Sequence, residues 1–274
     1  MTPGADGAVR VWGVSGAGVA RPPGRTVPGG MRTLHGISYS PWTEKARWAL
    51  DHHGVAYRYR EHLPLIGEPL LRWRTPRGVK PAVPLLIDDG EPFAGSFVIA
   101  RRAEELGQGE PLFPAADLPV IQRWEEESDQ VLSAARAKVV AALLESRQAQ
   151  VDSLPAFLPV GLRSLLAPSA KLGARFVARK HQTPTDIDAF LQEKVVPALE
   201  RLREALGGRP YLLSRFSYAD VTAALMLQFV RAVDDGYLPL KPGTRAVWSD
   251  AALAARFPDL LAWRDGLYAK HRRP

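Results

Sequence analysis

Two stretches decide the fold: Arg32–Tyr57, RTLHGISYSPWTEKARWALDHHGVAY, and Val83–Leu106, VPLLIDDGEPFAGSFVIARRAEEL. In the first, Thr33–Ile37 has the pattern of a short strand. Trp42, Ala46, Ala49, Leu50 and His53 then recur at helical spacing, so Pro41–His53 reads as a helix with proline in its first turn and Gly54 as its stop. Val55–Tyr59 alternates as a second strand. In the second stretch, Val83–Ile87 is a strand, Asp88-Asp89-Gly90 is a hairpin signal, and Pro92-Phe93 begins the return. Ser96 then opens a helix with Ile99, Ala103 and Leu106 on one stripe. Between the two, Leu65–Trp73 allows a short helix before Pro76 and Gly78. The order is βαβ followed by αββα, which requires one parallel and one antiparallel pairing in a small mixed sheet. Three backbone corners result, at Ser40-Pro41, Val83-Pro84 and Gly95-Ser96. Main-chain groups there can grip one small polar ligand.

The remainder is organised differently. Residues 1–30 carry eight glycines and four prolines without a sustained period, and are expected to be a disordered extension. Residues 31–107 form the α/β unit. Residues 108–119, with Pro111, Pro114 and Pro119, read as a linker. Residues 120–274 show no strand pattern. Ile121–Gln150, Asp186–Leu206, Tyr218–Ala232 and Leu253–Lys270 (broken at Pro258) read as helices, and Pro155–Pro168 as a proline-punctuated stretch. An all-helical domain is therefore expected to follow the first.

Composition narrows the function classes. The 274 residues include no cysteine, which removes disulfides, thiolate metal sites and a cysteine nucleophile, and suits a reducing cytoplasmic setting. The net charge is +7, but the basic residues are scattered, so small anions are better expected partners than nucleic acid. No 18-residue apolar run suggests a membrane span. His52-His53 is too tightly spaced for a shared helix-face metal site, so no metal is expected.

The segments SPWTEKARWALDHHGVAY, VPLLIDDGEPFAGSFVIARRAEELG, FSYADVTAALML and RFPDLLAWRDGLY, in this order and spacing, resemble the glutathione S-transferase superfamily. The resemblance implies an α/β thioredoxin-like N-terminal domain, with a mixed four-stranded sheet and helices, followed by an all-α helical domain. It implies a cytoplasmic homodimer in detoxification chemistry, with glutathione as co-substrate and transfer of its thiolate to an apolar electrophile. Ser40 would stabilise the thiolate as a donor, with Tyr39 and Ser38 as fallback donors. A thiol is mostly protonated at neutral pH and only the thiolate attacks well, so a hydroxyl donor and a helix N-terminus both help. The bland alternative for Ser40 is a helix cap. Strand alternation would put Ser38 and Ser40 on one face and Tyr39 on the other.

By the same resemblance, Val83-Pro84 is a cis-proline turn whose Val83 backbone pairs with the cysteinyl backbone of glutathione. Ser96 takes the γ-glutamyl carboxylate, and Lys80, or failing that Arg77, reaches the glycyl carboxylate; the bland readings are an ordinary N-cap for Ser96 and a solvated loop charge for Lys80. Gly95 stands where the family usually has an acidic residue, a departure that removes a charge partner for the ammonium. Ser217 and Asp220 form a capping box with a folding role. Gly95 and the irregular spacing around Lys80 favour an alternative: a non-catalytic glutathione transferase-like binding or interaction protein. The missing cysteine disfavours thiol exchange.

Overall fold

The computed structural model describes residues 32–154, 159–180, 189 and 191–272. The stretches 1–30 and 155–158, and the start of the helix expected from Asp186, lie outside the described residues. The sheet contains β1 (Thr33–Gly36), β2 (Arg58–Glu61), β3 (Leu85–Asp88) and β4 (Glu91–Ala94), in the order β2-β1-β3-β4. β1 pairs parallel with β2 and antiparallel with β3, and β3 pairs antiparallel with β4. The β3–β4 turn uses Asp89 and Gly90 at φ 50° and 88°, the left-handed pair that a two-residue hairpin needs. β2 begins three residues later than the alternation from Val55 implies. It is an edge strand with Arg58, Arg60 and Glu61 exposed, so burial does not set its register.

Helices α1 (Pro41–His52) and α3 (Ser96–Leu106) pack on the sheet, and α2 (Glu68–Arg74) follows β2. Leu34 and Leu86 of the sheet meet Trp48, Ala49, Ile99 and Ala103 of the helices in one core. Asp88, at the end of β3, is buried and structural. It pairs with Arg32 at 2.7 Å and receives two bonds from Arg102 at 2.9 and 2.8 Å.

Beyond residue 107 no strand occurs among the described residues. α4 (Leu118–Glu145) starts at the end of the proline-rich stretch, after a 3-10 turn at Ala115–Asp117. α5 (Arg147–Ser153) and α6 (Val160–Lys180) follow. α6 is a correction to the sequence reading, because Pro168 lies inside it. Proline removes the bond to the carbonyl four residues back. That carbonyl, on Ser164, accepts instead from the Arg147 guanidinium at 3.0 Å, so the helix continues. A π-helical turn at Leu191–Val195 leads into α7 (Val196–Leu206). α8 (Tyr218–Met226), α9 (Pro242–Val247), α10 (Ala251–Arg256) and α11 (Pro258–His271) complete the fold. No helix among the described residues is long and apolar enough to cross a membrane.

α1 joins the two parts. Trp48 meets Tyr268 of α11 edge-on at 4.5 Å, and Arg272 clamps Glu44 and Asp51 at 2.7 Å each. α8 starts with the capping box. The Asp220 carboxylate accepts from the Ser217 and Leu212 N–H groups at 2.9 and 2.7 Å and from the Ser217 hydroxyl at 3.1 Å. Burial pushes this carboxyl up to about 6, against the pull of those donors. Asp220→Ala strands two buried N–H groups, each costing about 1–3 kcal/mol. Urea denaturation is expected to show a loss of about 2–4 kcal/mol.

Candidate functional site

The three corners converge on one cavity of about 410 Å³. Ser40, Val83, Pro84, Gly95 and Ser96 all line it. The Val83-Pro84 bond is cis. The Pro84 carbonyl accepts the Gly95 N–H at 3.0 Å, which locks the second corner to the third. Gly95 takes φ 93° as N-cap of α3, and Ser96 is the first residue of that helix. Unpaired N–H groups at such a terminus favour an anion.

Ser40 is the N-cap of α1, yet its side chain makes no capping hydrogen bond. The capping alternative is therefore not realised, and Ser40 lines the cavity. The two fallback donors do not line the cavity. Ser38 is exposed, and its N–H and hydroxyl donate to Glu61 at 3.1 and 3.4 Å. Tyr39 packs edge-on against Trp248 at 5.8 Å, and burial followed by Glu61 pushes its phenol up to about 12. β1 ends at Gly36, so strand alternation does not govern residues 38–40.

Lys80 is exposed and outside the lining; its Nζ donates to the Lys180 carbonyl at 2.8 Å. Lys180 itself does line the cavity, from the last turn of α6, bound to both oxygens of Glu68 at 2.8 and 2.9 Å. His62, beside Glu68 at 3.4 Å, is held below its usual range, chiefly by burial.

The far wall comes from α4, which sequence reasoning did not connect with the site. Glu125, Asp129, Ser133 and Arg136 recur at helical spacing and line the cavity. Glu125 accepts from the Ser96 hydroxyl at 3.2 Å, from Lys45 at 2.8 Å and from Thr222 of α8. Asp129 accepts from Trp42 Nε1 at 2.9 Å and from Lys45 at 3.3 Å. Carboxylates thus stand beside the Ser96 corner although Gly95 carries none. The sequence signal was the i, i+4 acidic pair on α4, which reads equally well as a solvated face. No cluster of three or more potential metal ligands occurs among the described residues.

Residues 34–111 match the glutathione S-transferase N-terminal domain family, and residues 129–266 match the C-terminal domain family. The chain belongs to the glutathione S-transferase superfamily. A probable glutathione S-transferase of Nicotiana tabacum is 37% identical over 81 residues, which span 30% of this chain and 35% of that protein. A Solanum tuberosum counterpart is 32% identical over 81 residues, 30% of this chain and 36% of that one. The chain thus matches only about a third of the length of these curated relatives. Solved structures extend the likeness of fold. A glutathione S-transferase from Methylobacillus flagellatus, solved with glutathione bound, is 20% identical with a TM-score of 0.54, over 87% of this chain and 95% of that one. The beta-etherase of Sphingobium sp. strain SYK-6 is 18% identical with a TM-score of 0.58, over 88% and 96%.

Lys45 is fully buried, and Glu125 is its closest counter-charge. Glu125→Ala removes the nearer and more buried of its two counter-charges, leaving only half-exposed Asp129 at 3.3 Å, and is expected to cost up to about 3–5 kcal/mol in chemical denaturation. Lys45→Met combined with Glu125→Leu is expected to recover most of that loss.

Proposed function

We propose that this protein is a glutathione transferase that binds glutathione across the three corners and passes its thiolate to an electrophile held between α4 and α6. The observation that carries this reading is Ser40, its side chain free of any capping bond, in the wall of the cavity that Val83 and Ser96 also line.

The γ-glutamyl carboxylate meets the N-terminus of α3, where Ser96 offers an N–H and a hydroxyl. The ammonium beside it meets Asp129, whose side chain is half exposed, with Glu125 behind it. These carboxylates supply the charge that Gly95 lacks. The cysteinyl backbone pairs with Val83 as an added strand. The glycyl carboxylate turns toward Lys180 rather than Lys80. The sulfur then lies at the start of α1, where the Ser40 hydroxyl donates to it and the helix N-terminus favours the anion. Lowering a thiol pKa by two units needs only about 2.7 kcal/mol, within reach of one charge-assisted bond and a helix end. Ser40 acts as a donor and keeps its own proton. The same reading includes a cytoplasmic homodimer, as the family resemblance implies.

The second reading, a non-catalytic binding protein, is favoured by the Ser96 hydroxyl being already engaged by Glu125. Calorimetry with glutathione, together with conjugation of chlorodinitrobenzene, separates the two. Micromolar-to-millimolar binding with turnover is expected. Ser40→Ala is expected to lower kcat/KM about ten- to hundredfold, the loss of one charge-assisted hydrogen bond, with a smaller change in glutathione affinity. Binding without turnover would favour the second reading, and no binding at millimolar glutathione would overturn the transferase reading.

A further inference from the structure

The cavity has an end that the glutathione assignment leaves unused. Arg136 lies on α4 about 16 Å along the helix from Glu125, at 1.5 Å per residue. Its guanidinium sits over the Trp42 ring at 4.8 Å, two residues beyond Ser40, and lines the cavity. No hydrogen bond or ion pair to any described residue holds it. Asp129, the acid on the same helix face, is already shared by Trp42 and Lys45.

We propose that Arg136 is a specificity-determining residue that selects electrophiles bearing an anionic group, a carboxylate above all. This rests on the transferase reading and sharpens it: the electrophile is not simply apolar. Phe176 and Val177 of α6 face the same cavity and accommodate an apolar body. Ser133, three residues before Arg136 on α4, offers a hydroxyl to the same carboxylate. Trp42 beneath the guanidinium ties it to the start of α1, the helix whose N-cap is Ser40. Burial lowers the Arg136 side chain to about 10, so it remains a cation at neutral pH while having lost much of its water. The Asp129 charge acts on it only at a distance, and a half-dehydrated guanidinium with no hydrogen-bonded carboxylate gains more from an incoming anion than a solvated one does.

The matched probes are a chloro-dinitrobenzoate, with the chlorine para to the carboxylate and flanked by the nitro groups, and its methyl ester. In each, the glutathione sulfur bonds to the ring carbon that bears chlorine. The carbon–chlorine bond breaks, chloride leaves with the electron pair, and the thiol proton passes to buffer. Rates are divided by the uncatalysed rate for each probe. Binding of the unreactive dinitrobenzoate and its ester, lacking chlorine, is measured separately by calorimetry.

The native protein is expected to prefer the acid over the ester by about tenfold or more in both measurements, the usual worth of a charge-assisted pair. Arg136→Gln is expected to collapse that preference toward unity, and Arg136→Lys to retain part of it. Equal treatment of acid and ester by the native protein, or an unchanged preference in Arg136→Gln, would overturn the proposal. So would a tenfold loss of glutathione affinity in Arg136→Gln with the preference intact, since Arg136 would then belong to the glutathione site. Acid-selective binding through Arg136 without turnover would leave the anion site standing and remove the transferase reading.

Discussion

A lysine with no access to water sits where the two parts of this protein meet. Lys45 of α1 is fully buried, and its ammonium is held by Glu125 at 2.8 Å and Asp129 at 3.3 Å, both from α4. A buried charge without a partner costs several kcal/mol, so α4 must lie where its carboxylates reach α1. Glu125 also holds Ser96 of α3 and Thr222 of α8. One carboxylate therefore fixes four helices. Two of them carry corners that line the cavity.

This constraint shapes the chemistry of the cavity. A family member with an acidic residue before the α3 serine carries that charge on the corner itself. Here Gly95 takes a left-handed backbone conformation with no side chain, and the negative charge arrives from across the domain boundary. The same face of α4 continues past Asp129 to Ser133 and Arg136, so it changes sign along the cavity wall. In the proposed transferase, its acidic end would face the glutathione ammonium, its basic end would be left for the second substrate, and the thiolate would form between them at Ser40.

What the sequence made legible follows from how local each signal is. The α1 helix, the Asp89-Gly90 hairpin and the α3 start at Ser96 are written in contiguous residues, and the structure forms each of them. Ser40 and Ser96 were readable because they sit at those helix starts, and Val83 because Pro84 follows it. α6 was hidden by Pro168, whose consequence is absorbed by Arg147, a residue 21 positions earlier. Glu125, Asp129 and Arg136 were hidden for a related reason. Polar residues spaced along a long helix look the same whether they face solvent or a cavity, and only the packing of α4 on α1 decides. Lys80 and Lys180 exchange places for the same cause, since the end of α6 returns to the cavity from a hundred residues away.

The ionisation of glutathione on the protein tests the central claim most directly. Ultraviolet difference titration of the thiolate, at saturating glutathione, gives the pKa of the bound sulfur. The account predicts a bound thiol about two units below the roughly 8.5 of a free thiol, rising back toward that value in Ser40→Ala. A bound thiol that titrates at its free value in the native protein would contradict it, because the α1 corner would then hold glutathione without activating its sulfur.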